Sequence, residues 1–266
     1  MEEIIKITPI VRESILANPI DRNPFEVVDS IITREVALEN DITRELALDT
    51  IIREGAPAHP LHYGLLAYWR FDENSGNALD AKGVWNGIPY GSLSYNQAGI
   101  VNTCNGYNGV SGFNIGNFGN DFVDNFSISC WFRKYALSCT NRRIISRWQD
   151  WELGLDANGF LIFDTGVEYS SGVDIESTNG VWFNVVVVIN GANSKFYVNG
   201  IQAGSVFSPN IIPSSIYDTV IGQRNVGQSG WRGNIDEIGI WNRVVTDLEI
   251  TELYNAGNGF AWPFQN

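Results

Sequence analysis

Three Asn-Gly dipeptides, Asn158-Gly159, Asn190-Gly191 and Asn199-Gly200, each stand between apolar or alternating runs. Asn-Gly supplies the positive φ angles that tight β-hairpins need, so the pattern specifies a meander of short strands. Strands are expected near residues 65–71, 126–132, 143–147, 151–155, 160–164, 182–189, 194–199, 201–206, 218–222 and 231–241. So many short strands with regularly spaced turns imply a sandwich or barrel. The 27 Gly and 12% aromatic residues agree with strands and turns rather than helices.

One helix interrupts the pattern. Thr246 followed by Glu249 reads as a capping box, Leu248, Ile250 and Leu253 form an apolar face, and Gly257 suits the residue just past the helix end.

The N-terminal part is different. Residues 1–26 carry Pro9, Pro19 and Pro24 among short apolar runs and have too little apolar mass for a core, so an arm that orders against something else competes with a disordered tail. Residues 27–54 lack proline entirely and contain a tandem decapeptide, Ile32–Asp41 followed by Ile42–Ile51, up to the first glycine at Gly55. A helix is the first reading, with Val28, Ile32, Val36, Ile42, Leu46 and Ile52 as a seam too narrow to be covered by anything except copies of itself. β-Branched seam residues favour three strands over two. A ten-residue repeat overwinds a helix, so a short interdigitated trimer with one bend per layer is the competing geometry. Residues 55–62, with Pro57 and Pro60, form a linker, and His59 and His62 are expected to be linker residues rather than metal ligands. Residues 63–266 are left as one all-β domain.

The formal net charge of −13 argues against nucleic acid, because Arg142, Arg143 and Arg147 are the densest basic cluster. No run approaches the roughly 18 apolar residues of a membrane helix, so no membrane insertion is expected. The acidic start, Met1-Glu2-Glu3, is unlike an export signal. Of Cys104, Cys130 and Cys139, one pair could form a disulfide, and Cys130 alternates with Phe126, Ile128 and Phe132 as a buried thiol would.

Leu66–Gly76, answered downstream by Trp231–Trp241, resembles the opening and closing strands of laminin-G-like, concanavalin-type jelly rolls. Phe126–Phe132, Trp182–Val187 with Lys195–Gly200, Val220-Ile221-Gly222 and Asn242–Ile250 extend that resemblance in order over residues 63 to 258. It implies an all-β, laminin-G-like jelly-roll sandwich of two antiparallel sheets, here behind a short helical oligomerisation stalk. The stalk and head together resemble a bacteriophage fibre or appendage protein. That likeness implies a virion location after synthesis in the host cytoplasm, a homotrimer, docking of residues 1–26 on other virion proteins, and a head that binds a host-surface glycan or protein. A decoration protein that binds no sugar and a bacterial carbohydrate-binding or adhesion module are the alternatives.

β-Glucanases of the same shape carry Glu-x-Asp-x-Glu, whereas Asn234-Ile235-Asp236-Glu237 begins with Asn, and strand alternation is expected to send Asp236 and Glu237 to opposite faces. With no other hydrolase motif present, the chain is expected not to be an enzyme. In related jelly rolls a closing-strand carboxylate and an early Asp hold calcium, so the resemblance implies structural Ca²⁺ at Asp72, Asp80, Asn86 and Asp236. Asx turns and an arginine partner are the alternative for these side chains. For sugar stacking the candidates are Trp148 with Gln149 and Asp150, then Trp85 and Tyr169, while Trp69, Trp131, Trp182, Trp231 and Trp241 are expected in packing.

Overall fold

A computed structural model describes residues 59–135, 142–175, 177–213 and 216–265. The expected arm, the stalk seam Val28, Ile32, Val36, Ile42, Leu46 and Ile52, and Cys139 lie outside the described residues. No helix among those described is long and apolar enough to cross a membrane.

The described residues form two antiparallel sheets. The first contains, in spatial order, β13 (Ile201–Phe207), β12 (Ser194–Val198), β11 (Phe183–Ile189), β6 (Phe126–Lys134), β15 (Arg232–Trp241), β4 (Thr103–Asn108) and β3 (Ser94–Ala98), with β1 (Leu65–Trp69) pairing β15. The second runs β10 (Glu168–Asp174), β9 (Phe160–Asp164), β8 (Trp151–Leu155), β7 (Arg143–Arg147), β14 (Thr219–Ile221), β5 (Gly112–Gly116) and β2 (Ile88–Tyr90). This is the expected sandwich.

Alternation explains the core between the sheets. Phe126, Ile128, Cys130 and Phe132 of β6 face inward with Leu153, Leu155, Leu161 and Phe163 of β8 and β9. The unbroken Val185–Ile189 run needs a second reason, because its alternate residues serve different cores. Val185, Val187 and Ile189 join the inter-sheet core, whereas Val186 and Val188 pack outward with Tyr197, Trp241, Ile250 and Leu253 under helix α1 (Asp247–Tyr254). Covering both faces of a strand turns an alternating pattern into a continuous apolar one.

The three Asn-Gly turns connect β8 to β9, β11 to β12 and β12 to β13. Asn199 and Gly200 both have positive φ, 51° and 77°, as a type I′ turn demands. Thr246 and Glu249 form the expected reciprocal cap. The helix ends earlier than Gly257, at Asn255, whose φ of 48° supplies the left-handed residue.

β2, β3, β4, β5 and β10 were not apparent in the sequence pattern. β3 and β10 are exposed edge strands with few apolar residues. β5 begins on Gly112, where a Cβ would lie 2.4 Å from the Ile221 carbonyl oxygen, so close strand packing selected a residue with no strand propensity. Cys104 and Cys130 are separate buried thiols, both raised in pKa chiefly by burial, Cys104 to about 12.

Residues 59–62, expected as linker, belong to the packed structure. Leu61 is buried and its carbonyl accepts from Trp241 Nε1 at 2.8 Å. Arg243 donates to the carbonyls of Tyr63 and Pro60 while pairing with Glu249. His59 and His62 sit against the Phe260, Trp262 and Phe264 rings, and His59 Nε2 is 3.5 Å from Glu252.

Candidate functional site

An open cleft of about 390 Å³ lies at one end of the sandwich. Its walls come from Leu66 of β1, Trp85, the 117–125 loop, Phe126 of β6 and Asn242 just after β15. The loop reads Asn-Phe-Gly-Asn-Asp-Phe-Val-Asp-Asn, and the two phenylalanines anchor it. Phe118 makes edge contacts with Trp69 and Trp85 at 5.7 and 5.2 Å between centroids, and Phe122 stacks on Phe126 and Trp151 at 4.8 and 5.8 Å. Trp151 Nε1 donates to the Gly119 carbonyl at 3.3 Å. With its aromatics buried, the loop leaves Asn120, Asp121, Asp124 and Asn125 exposed at the rim.

Trp85 is held by the carboxylate of Asp80. Asp80 Oδ1 accepts from the backbone N–H of Tyr68 and Lys82, and its Oδ2 from those of Val84 and Trp85, all at 2.9–3.1 Å. Asn86 Oδ1 accepts from Asp80 N–H, and Trp69 Nε1 donates to the Trp85 carbonyl at 2.7 Å. Asp80 and Asn86, expected as calcium ligands, are therefore committed to ordering the turn that presents Trp85, as the Asx-turn alternative has it. A carboxylate with four backbone donors has no lone pairs left to converge on a cation.

Asp72 and Asp236 are elsewhere. Asp72 accepts from Thr103 N–H at 3.1 Å and from Asn102 Nδ2 at 3.3 Å. Asp236 Oδ2 accepts from Ile100 and Val101 N–H at 2.8 and 3.4 Å, while among the described residues its buried Oδ1 has no hydrogen-bond partner and no arginine pairs with it. The four expected ligands thus do not form one set. Among the described residues, no three His, Cys, Asp or Glu side chains converge on one point.

The expectation that Asp236 and Glu237 face opposite ways is corrected by a β-bulge. The register slips between Asp236 and Gly239, and Glu237 has a φ of +48°. Asp236 pairs with Trp131, which stacks on Tyr254 of α1, and Glu237 lies beside Tyr68 on that same helix-covered side. An extra residue in one strand breaks the two-residue alternation. Both carboxyls are pushed well above the ordinary range by burial, with the charge of Asp236 adding to the shift of Glu237.

The remaining aromatic candidates separate. Trp148 is half-buried at the β7–β8 tip, with its ring centroid 4.4 Å from that of Tyr217. Gln149 beside it is exposed with φ 75°. Asp150 is buried and binds Arg147 Nε at 2.8 Å, and Arg147 Nη2 reaches Asn117 at the foot of the cleft loop. The tip thus touches the cleft loop at Asn117, which adjoins the lining residue Phe118. Tyr169 is not part of it: its ring stacks on Phe207 at 5.0 Å and its hydroxyl donates to the Ser208 carbonyl. Of the tryptophans expected in packing, Trp182 is half-buried beneath the Arg133 guanidinium and the other four are buried.

Sequence reasoning missed most of the cleft, although aromatic residues interleaved with amides and acids between two strands were its visible signal. It also missed a ring of charges on the outer face of the second sheet. Fully buried Arg143 binds Glu152 through Nε and Asp164 through Nη2 at 3.0 Å. Arg224 reaches the same two oxygens at 2.8 and 3.3 Å. These four residues come from β7, β8, β9 and the 222–230 loop, so no local motif announces them.

The family model described as the concanavalin A-like lectin/glucanases superfamily matches residues 106–251. Comparison with curated proteins returned no match. Among solved structures, domain 4 of AbnA, a GH43 extracellular arabinanase from Geobacillus stearothermophilus in complex with arabinotriose, is 20% identical with a TM-score of 0.58, covering 70% of this chain and 96% of that one. The Trypanosoma rangeli sialidase is 13% identical with a TM-score of 0.56, covering 82% of this chain but only 39% of its own. A botulinum neurotoxin type C structure, whose cell entry depends on two ganglioside molecules, is 19% identical with a TM-score of 0.51, covering 73% and 51%. These likenesses establish the fold. They also correct the expectation that the chain is not an enzyme, since the fold occurs in two glycoside hydrolases. The missing Glu-x-Asp-x-Glu strand was too local a criterion: Glu152 and Asp164 show that adjacent strands can set two acids side by side without any linear motif.

Proposed function

The chain belongs to the concanavalin A-like lectin/glucanases superfamily, and from that membership we propose that its sandwich binds glycans in the cleft between Trp85 and the 117–125 loop, as the host-facing head of an oligomeric virion fibre. The observation that carries the glycan reading is the cleft itself. Its volume lies in the small-molecule range of roughly 300–1,000 Å³. Half-buried Trp85 offers apolar surface for a sugar face, and exposed Asn120, Asn125 and Asn242 offer amides for its hydroxyls. The arabinotriose named for one structural neighbour supports saccharides as the ligand class.

Trp85→Ala in the full chain is expected to weaken glycan retention on the order of tenfold, about 1.4 kcal/mol. Titration against the tightest ligand of a glycan panel, with thermal unfolding as a control for folding, checks this. Unchanged affinity places the site elsewhere, with Trp148 and Tyr217 the next surface to replace.

The fibre reading rests on the tandem decapeptide ahead of the sandwich. Three heads on one stalk would raise weak site affinities by avidity. Light scattering is expected to give three chains for the full protein and one for a version starting at His59, which keeps the packed residues 59–62. One chain in both cases removes the stalk from the account.

A structural Ca²⁺ is also part of this reading, now at Asp236 and Asp72 alone. Its support is the buried, unpartnered Oδ1 of Asp236 with the carboxylate of Asp72 close enough to shift its proton affinity. Hard oxygen donors of this kind suit calcium. Chelation is expected to lower the melting temperature and excess calcium to restore it; a melting temperature indifferent to both removes calcium.

A further inference from the structure

We infer that the cleft accepts neutral or amino-bearing saccharides and rejects carboxylated and sulfated ones, an inference that rests on the glycan reading of that cleft. Asp121 and Asp124 stand exposed on its rim, and its other polar lining residues are uncharged Asn120, Asn125 and Asn242. No Lys or Arg lines it among the described residues. Three basic side chains close to its walls in sequence or by contact are engaged elsewhere, the first being Lys82, three residues before Trp85, whose Nζ lies 5.7 Å from the Trp262 ring centroid. Arg243, adjoining Asn242, is held by Glu249 and by the carbonyls of Tyr63 and Pro60. Arg147, which touches the loop at Asn117, is paired with Asp150.

Recognition of a carboxylate or sulfate relies on a bidentate guanidinium, an ammonium or a set of free N–H donors. An acidic sugar entering this cleft would instead bring its charge toward two aspartates and lose its hydration without a partner. The chain's net charge of −13 adds a long-range field of the same sign. Amide groups, by contrast, donate to and accept from hydroxyls without requiring any charge, and an ammonium group gains from the rim acids.

The test is the full chain on a glycan array holding neutral and amino-bearing oligosaccharides beside their sialylated and sulfated counterparts. The best neutral ligand and its sialylated form are then titrated. The sialylated form is expected to bind at least about tenfold more weakly, with the gap narrowing as salt rises from about 50 to about 500 mM, because repulsion is screened. Asp121→Asn is expected to narrow the same ratio of affinities. Equal or tighter binding of the sialylated form overturns the charge selection while leaving the glycan reading intact. A tenfold gap indifferent to both salt and Asp121→Asn makes the exclusion steric and also overturns it. Retention of no glycan of any class overturns the glycan reading, and the selection with it.

Discussion

Arg143→Ala is expected to lower the unfolding midpoint by roughly 10 °C or more, the largest single-residue effect outside the apolar core. Arg143 is fully buried and joins Glu152 and Asp164, while its Nη1 donates to the Leu155 carbonyl at 3.1 Å. Removing it leaves two nearly buried carboxylates with one partner, Arg224, whose side chain is 23% exposed. Stranding buried charge in this way costs about 3–5 kcal/mol. Arg224→Ala removes a partner that solvent can partly replace, so it is expected to cost on the order of 1 kcal/mol. Calorimetric unfolding of the two variants checks the order. Equal small effects would mean that solvent, rather than Arg143, compensates the two acids.

Glu237→Gln is expected to stabilise the protein increasingly as pH rises, when measured in chelator. Burial, then the charge of Asp236, raises the folded pKa of Glu237 above its ordinary 4.5. A raised folded pKa means that the protonated acid's contribution is fully present below the unfolded value and is lost as pH climbs through the folded one. Gln keeps the neutral shape at every pH. The variant should therefore match the wild type near pH 4 and exceed it by about 1 kcal/mol or more at pH 7, because each tenfold difference in proton affinity between folded and unfolded chains is worth about 1.4 kcal/mol. Denaturant midpoints at a series of pH values measure this difference. A variant that loses stability as pH rises would show that the ionised carboxylate has a partner in the fold.

The acid pair shows where linear reading stops. Asp236 and Glu237 are adjacent in a strand that alternates cleanly elsewhere, and nothing local marks the extra residue that brings both to the outer face of the first sheet. The cleft has the same character. Trp85 was legible as an aromatic among polar neighbours, yet its standing depends on Asp80, Asn86 and Trp69, which fix its turn from 68 and 69 as well as from 80 and 86. Trp148 and Tyr169 look alike in sequence, and only packing separates a ring paired at a tip from one stacked on Phe207.

The Asn-Gly turns, the inward alternation of β6 and the Thr246 cap were determined by sequence alone, because each depends on residues within one turn or one strand. The same holds for the fold family, whose markers recur in order along the chain. Tertiary structure decided the bulge at Glu237, the four-residue charge ring and the cleft. Each joins residues from separate strands and loops, and neither a local conformational preference nor a spacing rule encodes which distant side chain will satisfy a buried charge.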